Sequence, residues 1–156
     1  MTSAIRTGPD ILTTGLLFSV FGAAFLSATL LMGVSEAALV VAAAQPDARL
    51  FQLFLAATAG NVLGAAVNFA LGRSLLRFED RRWFPVSPAN RRKAEALFGR
   101  YGRPVLLFSW LPVIGDPLTL AAGLMRMPFA VFLVYVTIGK AARYAVLLWL
   151  WDAVAG

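Results

Sequence analysis

Two stretches decide how this chain is read: LLMGVSEAALVVAAA, residues 30–44, and WLPVIGDPLTLAAGL, residues 110–124. Each sets one carboxylate, Glu36 or Asp116, in an apolar run suited to a bilayer. An ionisable side chain at membrane depth is expensive, and where one is kept it marks a functional site. Ser35 precedes Glu36, Gly115 precedes Asp116, and Pro112 and Pro117 flank the second acid. Glycine and proline interrupt helices. An interrupted helix at membrane depth survives only where protein or a water-filled cavity surrounds the freed backbone. The two stretches together predict a membrane protein that carries a polar substrate.

Composition points the same way. The 156 residues are 60% hydrophobic and 14% charged, with a mean hydropathy of +0.75. A soluble domain is about 45–50% apolar and about 25% charged. The excess lies in four stretches, 11–44, 50–71, 105–125 and 129–151. A helix spanning a bilayer needs roughly 20 such residues, so each is long enough to enter one. The first runs straight into the Glu36 segment without a small-residue cleavage site and is kept as part of the fold. There is no cysteine and no histidine. Disulfides, thiolate- or imidazole-held metals and nucleophilic mechanisms that need a histidine base are excluded. No catalytic residue, metal site or cofactor is predicted, and the chain is not read as an enzyme.

The net charge of +6 is concentrated. Of 14 Lys and Arg residues, nine lie between Arg73 and Arg103. A short basic segment between apolar spans stays cytoplasmic, so residues 72–104 are predicted to face the cytoplasm. The segment carries no nucleic-acid motif, and nucleic acid is not an expected partner. Inside it, Ser87-Pro88 suits a helix start, with serine as cap and proline in the first turn. Ala94, Leu97, Phe98 and Tyr101 then share one face, and Gly102 can close the helix. This predicts an amphipathic helix, either lying on anionic headgroups or serving as a solvated linker.

The halves resemble each other. Aligning Glu36 with Asp116, an offset of 80 residues, puts Leu31 on Leu111, Ser35 on Gly115 and Ala42 on Ala122. Further on, Thr58-Ala59-Gly60-Asn61 matches Thr137-Ile138-Gly139-Lys140 at an offset of 79. Between Arg103 and Arg126 there is room for two half-helices of about eight to ten residues, each rising roughly 12–15 Å. That reaches mid-bilayer and returns. A re-entrant hairpin adds no net crossing and the following helix adds one, so two such units must be oppositely oriented. The expected fold is all-α and polytopic: an inverted repeat of re-entrant helical hairpin plus transmembrane helix, with the amphipathic cytoplasmic helix between the halves. One domain spans 1–156, with repeat units at 11–71 and 105–151. A plain four-span bundle with one kinked helix is the competing architecture.

Several further polar residues fall at membrane depth. Gly60 and Gly64 form a GxxxG helix-packing motif, with Asn61, Ala65 and Asn68 on roughly the same side. Arg73 ends this helix, as a snorkelling anchor or a phosphate ligand. In the last span, Thr137, Lys140 and Tyr144 lie at i, i+3 and i+7 with Arg143 alongside. Each cation near the centre of a span costs at least about 2.5–3 kcal/mol, and Glu36 and Asp116 are the carboxylates at similar depth. A structural ion-pair cluster competes with a polar cavity that holds an anionic headgroup and handles a proton. Trp83, Trp110, Trp149 and Trp151 fit interfacial anchor positions.

At these residues the chain resembles the DedA family of SNARE-associated, VTT-domain membrane proteins, in its short YqaA-like branch. FLSATLLMGVSEAALV, ATAGNVLGAAVNFALGR, YGRPVLLFSWLPVIGDP, AAGLM and GKAARY carry the resemblance across most of residues 20–150. It implies a bacterial inner-membrane protein with two facing re-entrant hairpins. It also implies movement of lipids, polyprenyl phosphates or phospholipids, between leaflets. The family's essential first-hairpin acid matches Glu36, and its glycine-rich helix ending in GR matches Gly60, Gly64, Gly72 and Arg73. Where typical members carry arginines around the second-hairpin proline, this chain has Ser109 and the Gly115-Asp116 pair; Lys140 and Arg143 supply positive charge from the next helix.

The expected function is therefore facilitated or proton-coupled flipping of an anionic-headgroup lipid. Glu36 and Asp116 would be hairpin-tip acids, Arg73, Lys140 and Arg143 headgroup contacts, and Asn61 and Asn68 would line the path. Expected partners are membrane lipids, with protons and a second copy of the chain in a homo-oligomer left open. A proton- or cation-coupled small-solute transporter and a non-transporting scaffold are the alternatives.

Overall fold

The computed structural model describes residues 11–27, 34–45, 48–76, 88–111 and 114–155, and among these every regular element is helical. The first apolar stretch contains α1 (Ile11–Ser27) and α2 (Val34–Ala43). Then come α3 (Leu50–Leu75), α4 (Pro88–Tyr101), a 3-10 helix (Arg103–Trp110), α5 (Gly115–Leu124) and α6 (Phe129–Ala155). Ser87, Trp83 and Pro112, read above as cap, anchor and breaker, lie outside the described residues. The basic residues Arg77, Arg81 and Arg82 do too.

α3 and α6 are the frame. Each is long and apolar enough to cross a membrane, with only a third of its most apolar window buried. Outward they present Phe51, Leu55, Leu63 and Val67 on α3 and Val134, Ile138, Val146 and Leu150 on α6, all exposed. Helices of a water-soluble core hide such side chains, whereas helices in lipid need not. The two pack antiparallel. Phe69 near the end of α3 stacks on Phe132 and Phe129 at the start of α6, with ring centroids 4.4 and 5.5 Å apart. Leu53 near the start of α3 instead shares a cluster with Leu148 towards the end of α6.

The other elements lie against this frame, and glycine makes the approach possible. A Cβ on Gly60 of α3 would overlap the Phe21 carbonyl of α1. One on Gly72 would overlap the Leu120 carbonyl of α5, and one on Gly123 of α5 would overlap the Phe69 carbonyl. Gly139 of α6 sits in the same way on the Leu107 carbonyl of the 3-10 helix. Such small-residue contacts let helix backbones touch where no hydrophobic force drives association.

The third apolar stretch has the expected lengths, eight residues before the break and ten after, but its first part is 3-10. That winding is long for its type. It sets Leu106 and Ser109, both buried, on one edge at i and i+3. α5 packs back on it, with Gly115 against the Ser109 carbonyl. α1, by contrast, is 17 residues, roughly 25 Å of rise.

α5 ends in a Schellman-type turn: the Arg126 amide donates to the Gly123 carbonyl and the Met127 amide to Ala122. The left-handed position is held by Arg126 at φ 54°, where glycine is usual. A side chain there costs roughly 1–2 kcal/mol.

α4 starts at Pro88 and is followed by Gly102 at φ 65°. Phe98 is buried with Val105, Met127 and Phe132, and Ala94 and Leu97 pack alongside. Its apolar face therefore meets the protein. Tyr101, expected on that face, is exposed, with the Arg100 guanidinium 5.4 Å from its ring centre.

Candidate functional site

Two apolar clusters fill the interior. One joins Ala65 and Phe69 to Leu118, Ala122, Phe132 and Val136. The other joins Val20, Leu39, Leu53 and Ala57 to Tyr144 and Leu148. Between them, at mid-height of α3 and α6, lies a band of buried polar side chains.

Its centre is Asn61 opposite Lys140, both about 5% exposed. The Lys140 ammonium donates to Asn61 Oδ1. Because an ammonium only donates, this contact fixes the amide's orientation. Asn61 Nδ2 then points to Tyr144 and donates to its hydroxyl at 2.8 Å. The Tyr144 hydroxyl lies beside Ser35, and Ser35 Oγ donates to Glu36 Oε2 at 3.0 Å. A hydrogen-bonded run thus joins Lys140 through Asn61 to Tyr144, and the Ser35–Glu36 pair of α2 sits next to its end.

The other Glu36 oxygen pairs with Arg143. Arg143 also donates through Nη1 to the Trp110 carbonyl, at 2.9 Å. One guanidinium therefore ties the first acid to the end of the 3-10 helix. Asp116 lies within electrostatic reach of Lys140. Each acid occupies the first turn of its helix, Glu36 in α2 and Asp116 in α5, where the helix dipole favours negative charge. Two buried hydroxyls, Thr58 Oγ1 and Ser109 Oγ, have no hydrogen-bond partner among the described residues. They leave bonding capacity that water or a polar ligand can use.

Of the residues singled out in the sequence, Glu36, Asp116, Lys140, Arg143 and Asn61 come together here. Asn68 is buried two turns further along the same face of α3, roughly 10 Å away along the axis. Gly64 is buried on α3, and Gly60 makes the backbone contact with α1. Arg73 stands apart. It is exposed and lies roughly 18 Å along the helix from Asn61, in a groove with Arg126. Sequence reasoning passed over Ser35 and the Trp110 carbonyl and treated Tyr144 only as a neighbour of Lys140. Tyr144, one helical turn beyond Lys140, could have been found as a buried hydroxyl needing a partner. Trp110, 38% exposed as a residue, contributes through its backbone, which no side-chain pattern reveals.

Comparison with known proteins agrees with this architecture. The VTT domain model matches residues 11–152. The inner membrane protein YqaA of Escherichia coli (strain K12) is 42% identical over 128 residues, covering 82% of this chain and 85% of that protein. An uncharacterized protein of Haemophilus influenzae is 38% identical over 138 residues, covering 83% of each. No solved structure matches the chain. None of the matching names states a catalytic activity. With a domain match over nearly its whole length and relatives of this similarity, the chain belongs to the VTT-domain, or DedA, family.

Proposed function

We propose that this chain is a multi-pass protein of the bacterial inner membrane that facilitates passage of an anionic-headgroup lipid between leaflets. The observation that carries the reading is the buried polar band at mid-height of the two candidate spans, where the run Lys140–Asn61–Tyr144 lies beside the Glu36–Arg143 pair. Charges at that depth cost about 2.5–3.5 kcal/mol each on insertion scales. Pairing offsets part of this cost, but an apolar interior of the same volume would be cheaper. Retaining the band therefore speaks for use. Lys140 and Arg143 can hold a phosphate, while Glu36 and Asp116 compete for the same cations and release them when a headgroup arrives. Protonating either acid would loosen its cation, so coupling to protons follows from the same geometry.

An inverted repeat is supported by the placement of equivalent residues. Gly60 and Gly139 each rest on a carbonyl of the preceding segment. Asn61 and Lys140, equivalent in the sequence alignment, meet each other, as two positions beside a two-fold axis would. The antiparallel run of α3 and α6 fits opposite orientation of the two units. α1–α2 and the 3-10 helix–α5 pair would be the re-entrant hairpins. Arg73, Arg126 and α4 gather at one end of the frame, which positive-inside bias assigns to the cytoplasm with residues 72–104.

The test is reconstitution in liposomes with a labelled anionic lipid. Wild type should scramble it, and Glu36→Gln and Asp116→Asn should each lower the rate at least tenfold while still inserting. Ion flux without lipid movement would replace this reading with solute transport. No scrambling and no flux by wild type would leave a scaffold, and unchanged scrambling in both variants would remove the two acids from the path.

A further inference from the structure

The groove at the basic end of the frame is separate from the buried band. It encloses about 660 Å³ and is lined by Phe69, Ala70, Arg73, Ser74, Arg126 and Phe129, among others. That volume is within the range of ligand sites. Among the described residues no carboxylate lines it, and two guanidiniums share it. They are brought together by a close backbone approach, where Gly123 of α5 meets Phe69 and Arg73 of α3. The wall between them is aromatic. Phe129, 47% exposed, offers an apolar surface beside the two charges, backed by the buried ring of Phe69 5.5 Å away.

The second observation is Arg126 itself. It occupies a left-handed turn position that glycine would fill without strain. An arginine kept where the backbone disfavours it points to a use for its side chain. The place fits one occupant. Arg73 closes α3 and Arg126 precedes α6, so both stand at the same end of two membrane-length helices, the level of lipid headgroups. A free anion needs no aromatic wall there, and a peptide needs no depth of hydrocarbon.

We infer that this groove binds the phosphate of an anionic phospholipid between Arg73 and Arg126, with an acyl chain along Phe129. The lipid-transport reading gives this site its purpose, as the place where a headgroup is first caught, but binding can be measured without transport.

The test uses the full chain in nanodiscs of phosphatidylcholine doped with phosphatidylglycerol, with retained lipid counted by native mass spectrometry after release. Wild type should retain phosphatidylglycerol over phosphatidylcholine at least fivefold. Arg126→Gly and Arg73→Gln should lose that preference, and Arg126→Lys should keep most of it. Arg126→Gly should melt at or above the wild-type temperature, because the turn is relieved. The inference is overturned if Arg126→Gly retains the lipid as wild type does, or if it loses the lipid only together with a lower melting temperature. It is also overturned if millimolar inorganic phosphate strips the lipid completely, since the site would then be one for free anion. Scrambling by Glu36→Gln judges the transport reading separately, so either can fail alone.

Discussion

The middle of α3 reads TAGNVLG, residues 58–64, and the middle of α6 reads TIGKAAR, residues 137–143. The mechanical position is the same in both: Gly60 and Gly139 each admit the backbone of the segment before them. The chemical positions have parted. Asn61 stands where Lys140 does, and Gly64 where Arg143 does, so both central cations come from α6. Electrostatics gives the reason. Two ammonium groups facing across the helix pair would repel by about 4 kcal/mol at 4 Å. An amide opposite the ammonium turns that repulsion into a hydrogen bond. One half keeps the charges and the other supplies the acceptor.

The sharpest way to break this contrast is Asn61→Lys, which sets a second ammonium against Lys140. We expect a loss of about 4 kcal/mol, read as collapse of the thermal transition in detergent. The exchange Asn61→Lys with Lys140→Asn restores one donor and one acceptor, and most of the melting temperature should return. Its lipid-scrambling rate then reports whether the cation must come from α6. Next is Tyr144→Phe, which leaves Asn61 Nδ2 buried without its partner. A cost of about 2 kcal/mol is expected, visible in the melt, with the Glu36–Arg143 pair left in place. Last come Gly60→Ala and Gly139→Ala, each of which sets a Cβ on a backbone carbonyl that must move. Overpacking at the upper end of about 1–3 kcal/mol, less about 1 kcal/mol of helix propensity, leaves a cost of about 2 kcal/mol for both. A large difference between them would show that the two glycines are not doing the same job.

The short elements packed on the frame differ in a related way. α5 is locked to α3 through Gly72 and Gly123 in backbone contact. α2 has lighter contact with the frame, made by Leu39 and Ala42 in the second cluster and by the Glu36–Arg143 pair. Both acids were legible beforehand because a carboxylate in an apolar run is conspicuous, and both fall in first turns as their helix-breaking neighbours suggest. Lys140 and Arg143 were legible for the same reason. The pairing was not. Helical periodicity says which side of α6 a residue faces, but Lys140 and Arg143 face nearly the same side, and only packing sends Arg143 to Glu36 and Lys140 to Asn61. Arg73 shows the limit from the other direction. Its charge was noted, yet its neighbour Arg126 is 53 residues away in the chain and joins it only through the α3–α5 contact.

By itself, then, the sequence determined the class of solvent, the lengths of the long helices, the breaks beside the two acids and the family. These depend on hydrophobic run length, local backbone chemistry and motif identity, all written within a few tens of residues. The tertiary structure decided which cation meets which acid and that Asn61 joins Lys140 to Tyr144. It also decided that two arginines share one groove. Those outcomes depend on how closely separate backbones approach, and that distance is set by glycines on one helix meeting carbonyls on another.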